Sequence, residues 1–117
     1  MFKVIIAGGR DFTDYDVLRQ TMDNLLINIK DEIVIISGKA RGADTLGERY
    51  AKERGYKIIE CPADWDKYGK SAGYIRNAVM AQEANALVAF WDGKSRGTQN
   101  MIKLANKHNL KVRIKRY

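Results

Sequence analysis

Apolar residues follow two alternating rhythms along this chain. Short unbroken runs, V-I-I-A, I-V-I-I and L-V-A-F-W, are separated by longer stretches in which apolar residues return every three or four positions. The runs predict strands at 3–7, 33–36, 57–60, 87–91 and 111–115. The inner runs lack polar alternation, as expected of strands buried on both faces of a parallel sheet. Val17, Leu18, Met22, Leu25, Leu26 and Ile29 stand at helical spacing and predict a helix over 14–29. A second helix, 43–54, stops at Gly55. A third, 72–84, carries Ile75, Val79 and Met80, taken as its core face. A fourth, 98–108, carries Met101, Ile102, Leu104 and Ala105. Residues 61–71 between the third strand and third helix read as a long loop, which holds the only proline, Pro62.

Five strands alternating with four helices predict an α/β fold: a doubly wound, Rossmann-like parallel five-stranded sheet with helices on both faces. The expected strand order is 3-2-1-4-5, with the switch point between strands 1 and 4; the flavodoxin-like order 2-1-3-4-5 is the alternative. At 117 residues the whole chain, 1–117, reads as one domain with one core. Ligands are then expected outside the carboxyl ends of the strands.

Composition narrows the function. No apolar run approaches bilayer length, so no membrane partner is expected. A lone Cys61 leaves no internal disulfide, and a lone His108 argues against a Cys/His metal site. No metal or cofactor is expected. Met1-Phe2-Lys3 leads straight into a strand without a signal-peptide pattern, so the expected location is cytoplasmic. Net charge is +7 and unevenly placed: residues 1–92 hold 13 Lys/Arg against 14 Asp/Glu, whereas residues 93–117 hold eight Lys/Arg and no acid. Such a basic block suits an anionic partner. It equally suits a solvated helix face and strand end.

The candidate chemistry lies in three loops at one sheet edge. Strand 1 runs into A-G-G-R-D-F, strand 2 into S-G-K-A-R-G-A-D, and strand 4 into W-D-G-K-S-R-G-T. Glycine lets a backbone turn with positive φ and lets an anion approach the main chain. A helix start adds free N–H groups and the positive end of its dipole. Lys39, Arg41, Lys94 and Arg96 add charge, and arginine grips phosphate in a fork. None of these loops is G-x-G-x-x-G or a P-loop; the signal is their convergence, which points to a phosphate-bearing ligand. Asp44 fits a helix cap or a ribose contact. In the long loop, Trp65 and Tyr68 suit stacking on a base or covering the sheet edge. Arg76 reads as turned toward the loops, with a surface salt bridge as its plain alternative.

Four motifs in order, G-G-R-D-F, S-G-K-A-R-G-A-D, P-A-D-W-x-x-Y-G-K-x-A-G-x-x-R-N-x-x-M and A-F-W-D-G-K-S-R-G-T-x-N-M, resemble the YspA-related branch of the SLOG superfamily. That superfamily includes DprA and the LOG phosphoribohydrolases. The resemblance implies a nucleotide or nucleotide-derived ligand, held by a sensor, carrier or sequestering module. It implies a phosphate cradle of Gly8, Gly9, Arg10, Ser37, Gly38, Arg41, Gly42, Gly97 and Thr98, with Asp44, Arg76 and Asn77 on sugar or base. It also implies homodimer formation through helices. Two alternatives follow from the same likeness. One is LOG-type hydrolysis with Arg76 as the catalytic cation. The LOG glutamate of G-T-x-x-E is replaced here by Met101, which leaves Asp92 as the substitute carboxylate. The other is DprA-like single-stranded nucleic-acid binding, expected to be weak, through residues 93–117.

Overall fold

The computed structural model describes residues 1–117. Strand β1 (Phe2–Gly8) lies at the centre, between β2 (Ile33–Ser37) and β4 (Ala86–Trp91). The edges are β3 (Lys57–Glu60) and β5 (Lys111–Arg116). All pairs are parallel, in the order β3-β2-β1-β4-β5. This is the expected order, with the switch point between β1 and β4. The central runs are buried throughout, Val4 to Ala7, Ile33 to Ile36 and Ala86 to Phe90, because helices cover both sides.

Strand alternation divides the core into two layers. Val4, Ile6, Ile35, Val88 and Phe90 meet α1 (Tyr15–Leu26) and α2 (Ala43–Arg54). Ile5, Ala7, Ile36, Leu87 and Ala89 meet the helices on the opposite face, α4 (Ala72–Glu83) and α5 (Arg96–Lys107). Tyr50 donates its hydroxyl to Asp23 Oδ1 at 2.6 Å, and Arg54 reaches Asp23 Oδ2 at 2.7 Å, tying α2 to α1.

Local chemistry sets the helix ends. The Asp14 carboxylate accepts from the Val17 amide and caps α1. Gly55, at φ 72°, closes α2 in the left-handed conformation. Ser95 caps α5, which therefore starts at Arg96, two residues before the expected start, and takes Gly97 and Thr98 into its first turn.

Two expectations need correction. Residues 61–71 are not all loop. The Asp64 carboxylate accepts from the Lys67 amide at 3.1 Å and caps the short helix α3 (Trp65–Tyr68). A 3-10 turn, Gly69–Ser71, then feeds α4. The core face of α4 also differs. Ile75 and Val79 are exposed, at 37% and 47%, while Ala72, Asn77, Met80 and Ala81 are buried. The apolar residues mislead because the first half of α4 borders a cleft, where polar side chains are what the fold buries.

Helix α2 packs very closely on β1 at Gly47. A Cβ there would stand 2.9 Å from Ile6 Cγ2. Gly47→Val is expected to destabilise the protein by roughly 1–3 kcal/mol, the usual result of overpacking. Denaturant unfolding measures this, and wild-type stability in the variant would show that α2 can move off β1 freely.

Candidate functional site

The carboxyl ends of β1, β2 and β4 open into a cleft of about 510 Å³, within the usual range for small-molecule sites. Of the residues expected at a site, Gly8, Gly9, Arg10, Asp44, Arg76, Asn77, Asp92, Gly97 and Thr98 line it. Ser37, Gly38, Arg41 and Gly42 stand outside the lining. Met80 and Met101 form apolar wall.

The glycines have different physical jobs. A Cβ at Gly8 would run into the Phe90 carbonyl and lie 2.8 Å from the Ala43 methyl. A side chain at Gly42 would run into the Gly9 carbonyl and the Arg10 backbone, and Gly42 itself has φ 75°. The first amide of α2, Ala43 N–H, donates to Gly9 O at 3.2 Å. The β1 turn thus takes the first amide of α2, while Asp44, the next residue, lines the cleft. Gly42 joins two loops and stands outside the cleft lining. Gly97 is the opposite case: a Cβ there would meet nothing within 4 Å. It sits in the first turn of α5, where Ser95 takes the Thr98 amide and the Gly97 amide has no acceptor within the chain.

The cations also separate. Lys39, at φ 62°, pairs with Glu48 at 2.9 Å and Glu60 at 3.7 Å and serves the α2–β3 side. Ser37 joins it, donating to Glu48 Oε2 at 2.7 Å. Arg41, Lys94 and Arg96 are exposed outside the cleft lining. Arg10 lines it and is exposed. So does Lys70, which the loop reading of residues 61–71 did not single out. None of the chain's ion pairs includes Arg10, Lys70 or Arg76.

Arg76 is held from both sides. Its Nη1 donates to the Gly38 carbonyl, and its Nε donates to Asn77 Oδ1 at 3.0 Å. Asn77 Nδ2 in turn donates to Asn100 Oδ1 at 2.9 Å and Gly97 O at 3.3 Å. Asn77 therefore works as a pin that orients Arg76 and locks α4 to α5. Its amide is engaged inside the protein. Asp44, only 7% exposed, accepts from the Ala40 amide at 3.2 Å. Arg76 and Asp44 both crowd Gly38, where a Cβ would lie 2.7 Å from Arg76 Nη1 and 2.9 Å from Asp44 Oδ2. Gly38 thus matters by leaving these two side chains their space.

Burial governs both charges. It raises the Asp44 pKa to about 6, outweighing the opposing Ala40 amide and Arg76. It lowers the Arg76 pKa despite the nearby Asp44. Asp92 differs: its Oδ1 accepts from the Ser95 and Lys94 amides, both at 2.8 Å, and those bonds hold its pKa down. It is an ionised turn-former at the cleft edge.

The far end of the chain closes over the β1 turn, outside the cleft lining. Tyr117, just past β5, donates its hydroxyl to Asp11 Oδ1 at 2.6 Å, and its ring tilts against Phe12 at 4.9 Å. It covers Gly9. Arg116 reaches the Asp92 carbonyl at 3.4 Å and lies over Trp91. Local sequence contains no signal for this clasp.

A pH test follows from Asp44. Its folded pKa lies above its ordinary value of 3.8. The native state therefore binds the proton more tightly, and stability falls as pH rises from about 4 to 6. Above that window the ionised group costs about 3 kcal/mol. Asp44→Asn keeps an oxygen acceptor for Ala40. It is expected to raise stability at pH 7.5 by about 1–3 kcal/mol and to remove this slope. Equal pH profiles for the two proteins would show that Asp44 is not destabilised by burial.

Residues 2–68 match the YspA, cpYpsA-related SLOG family. The chain is similar to the Gene 61 protein of Mycobacterium phage D29, 31% identical over 118 residues, covering 96% of this chain and 94% of that protein. Its fold is similar to DNA processing protein A from Streptococcus pneumoniae, with TM-score 0.75 and 19% identity over 97% of this chain and 50% of that one. A second match is DNA processing protein A from Helicobacter pylori, a structure concerned with that protein's single-stranded DNA binding mode. There the TM-score is 0.73 and identity 22%, over 97% of this chain and 64% of that one. The chain thus spans about half to two thirds of those proteins, and at these identities the likeness establishes the fold. The family match and the phage relative establish more: this chain belongs to the YspA, cpYpsA-related SLOG family.

Proposed function

We propose that the cleft binds a nucleotide or nucleotide-derived ligand by its phosphate, as a sensor, carrier or sequestering module. The observation that carries this reading is the set of three cations, Arg10, Lys70 and Arg76, around one glycine-walled cleft with no ion pair among them. Unpaired cations beside an open helix start form an anion site. Arg76 is oriented in advance by Asn77 and Gly38, so little side-chain freedom is lost on binding. Asp44, buried beside it, supplies an acceptor for sugar hydroxyls.

Binding is better supported than hydrolysis. Cleavage of an N-glycosidic bond builds positive charge on the sugar, which a carboxylate stabilises. Met101 occupies the wall at the position of the LOG glutamate, and Asp92 Oδ1 is committed to its turn.

The test is calorimetric titration with AMP, with Arg10→Ala as the key variant. Arg10 is exposed and outside the chain's ion pairs, so the unliganded melting temperature should hold. Affinity should drop by about 1.5–3 kcal/mol, the value of a charged hydrogen bond. Undiminished AMP affinity in Arg10→Ala would remove this residue from the phosphate site.

A second reading has its own observation. Strand β5 is an edge strand, and Lys111, Arg113, Lys115 and Arg116 are all exposed on it. Such a row suits the backbone of a single strand of nucleic acid. Weak, non-specific binding is expected, with log affinity falling against log salt by about 0.7 per phosphate contacted. Filter binding of a single-stranded oligonucleotide at several salt concentrations measures the slope. Tight binding at physiological salt, abolished by reversing these four charges, would make nucleic acid the primary partner.

A further inference from the structure

We propose that Trp65 and Tyr74 form a base-stacking rim on the cleft, so that its ligand is a nucleotide carrying its base and not a bare sugar phosphate. The proposal rests on the phosphate-cleft reading and adds a second subsite to it. Both rings line the cleft, and both are about half exposed, Trp65 at 52% and Tyr74 at 48%. Two large aromatic side chains held half in water at a cavity mouth leave apolar surface uncovered by the fold itself.

Their placement is built, not incidental. The Asp64 cap and the break at Gly69, with φ 56°, fold α3 back so that Trp65 stands over the start of α4. Gly73 leaves the space between. A Cβ there would lie 3.5 Å from Trp65 Cη2 and 3.8 Å from Arg76 Nη2. An aromatic ring and a guanidinium thus border the same small gap, and Lys70 lines the same cleft. A flat apolar group joined to an anion by a short linker matches this layout, which is the chemistry of a nucleobase on its sugar phosphate. The cleft, at about 510 Å³, suits a ligand of that size.

The other aromatic and apolar groups nearby do not share this position. Tyr68 stands outside the lining, with Lys67 over its ring at 5.1 Å. Trp91 donates its indole N–H to the Ser95 carbonyl at 3.0 Å and lies beneath Arg116. Ile75 and Val79 are also outside the lining.

Stacking of a base on an aromatic side chain is sequence-tolerant, so AMP serves as probe and ribose 5-phosphate as its base-free control. A 5′-phosphorylated single-stranded decamer tests whether the base arrives on a strand end. Wild type should bind AMP more tightly than ribose 5-phosphate. Trp65→Ala and Tyr74→Ala should each lose roughly 5- to 150-fold in AMP affinity, with ribose 5-phosphate affinity unchanged. Trp65→Phe, which keeps a ring, should recover most of the preference. Decamer binding that exceeds AMP binding and needs Trp65 keeps the base subsite and assigns it to nucleic acid. Equal affinity of wild type for AMP and ribose 5-phosphate overturns the proposal while leaving the phosphate reading standing. An AMP preference that survives both alanine variants overturns it too. If neither small probe nor the decamer binds, the phosphate reading falls and the base subsite with it.

Discussion

The carbonyl oxygen of Gly9 sets the shape of this protein's carboxyl edge. It accepts the Ala43 amide at 3.2 Å and the Phe12 amide at 3.3 Å, while the Gly9 amide donates to the Phe90 carbonyl at 3.1 Å. The backbone of one residue thereby fixes the end of β1, the start of α2 and the end of β4. This closeness is possible only because Gly8 and Gly42 present no side chains to the backbones that pass them. Phe12 then stacks on Phe90 at 4.8 Å, and Tyr117 closes over the turn.

An asymmetry between two glycine-rich loops follows from that joint. In the loop after β2 the first helix amide, Ala43 N–H, goes to the Gly9 carbonyl, and Gly42 is enclosed by the backbone of the β1 turn. The loop after β4 is capped by Ser95 and shaped by Asp92, and it leaves Gly97 open to the cleft. Similar residue types therefore do different work: the first loop builds the wall, and the second faces what the wall encloses. The β2 loop still contributes, through Gly38 and Asp44, by holding Arg76 at a defined place.

That holding has a cost. Asp44 and Arg76 are both more buried than their charges favour, and burial outweighs their mutual attraction in each. A fold selected for stability alone would have apolar groups at such positions. Asn77 offsets part of this, since its buried amide is fully engaged and holds Arg76 in place between two helices. Strain of this kind concentrates where a protein binds or reacts.

The division between sequence and tertiary structure follows the range of the forces involved. Unbroken apolar runs and three-to-four spacing are local, and by themselves they determined five strands and the four long helices; they left two doubly wound strand orders open, and the assembled sheet decided for β3-β2-β1-β4-β5. Residue types at the loops also marked Arg10, Asp44, Arg76, Gly97 and Thr98 for the cleft. The face of α4 was not legible, because burial there depends on a cleft that exists only once the sheet is assembled. Nor was the closure of the α2 start, which depends on Gly9 and Ala43 meeting across the edge. The Tyr117–Asp11 bond joins residues 106 positions apart. Periodicity carries no information at such separations, so only packing of the finished sheet decided which glycine is enclosed, which is open, and which distant side chain closes over the β1 turn.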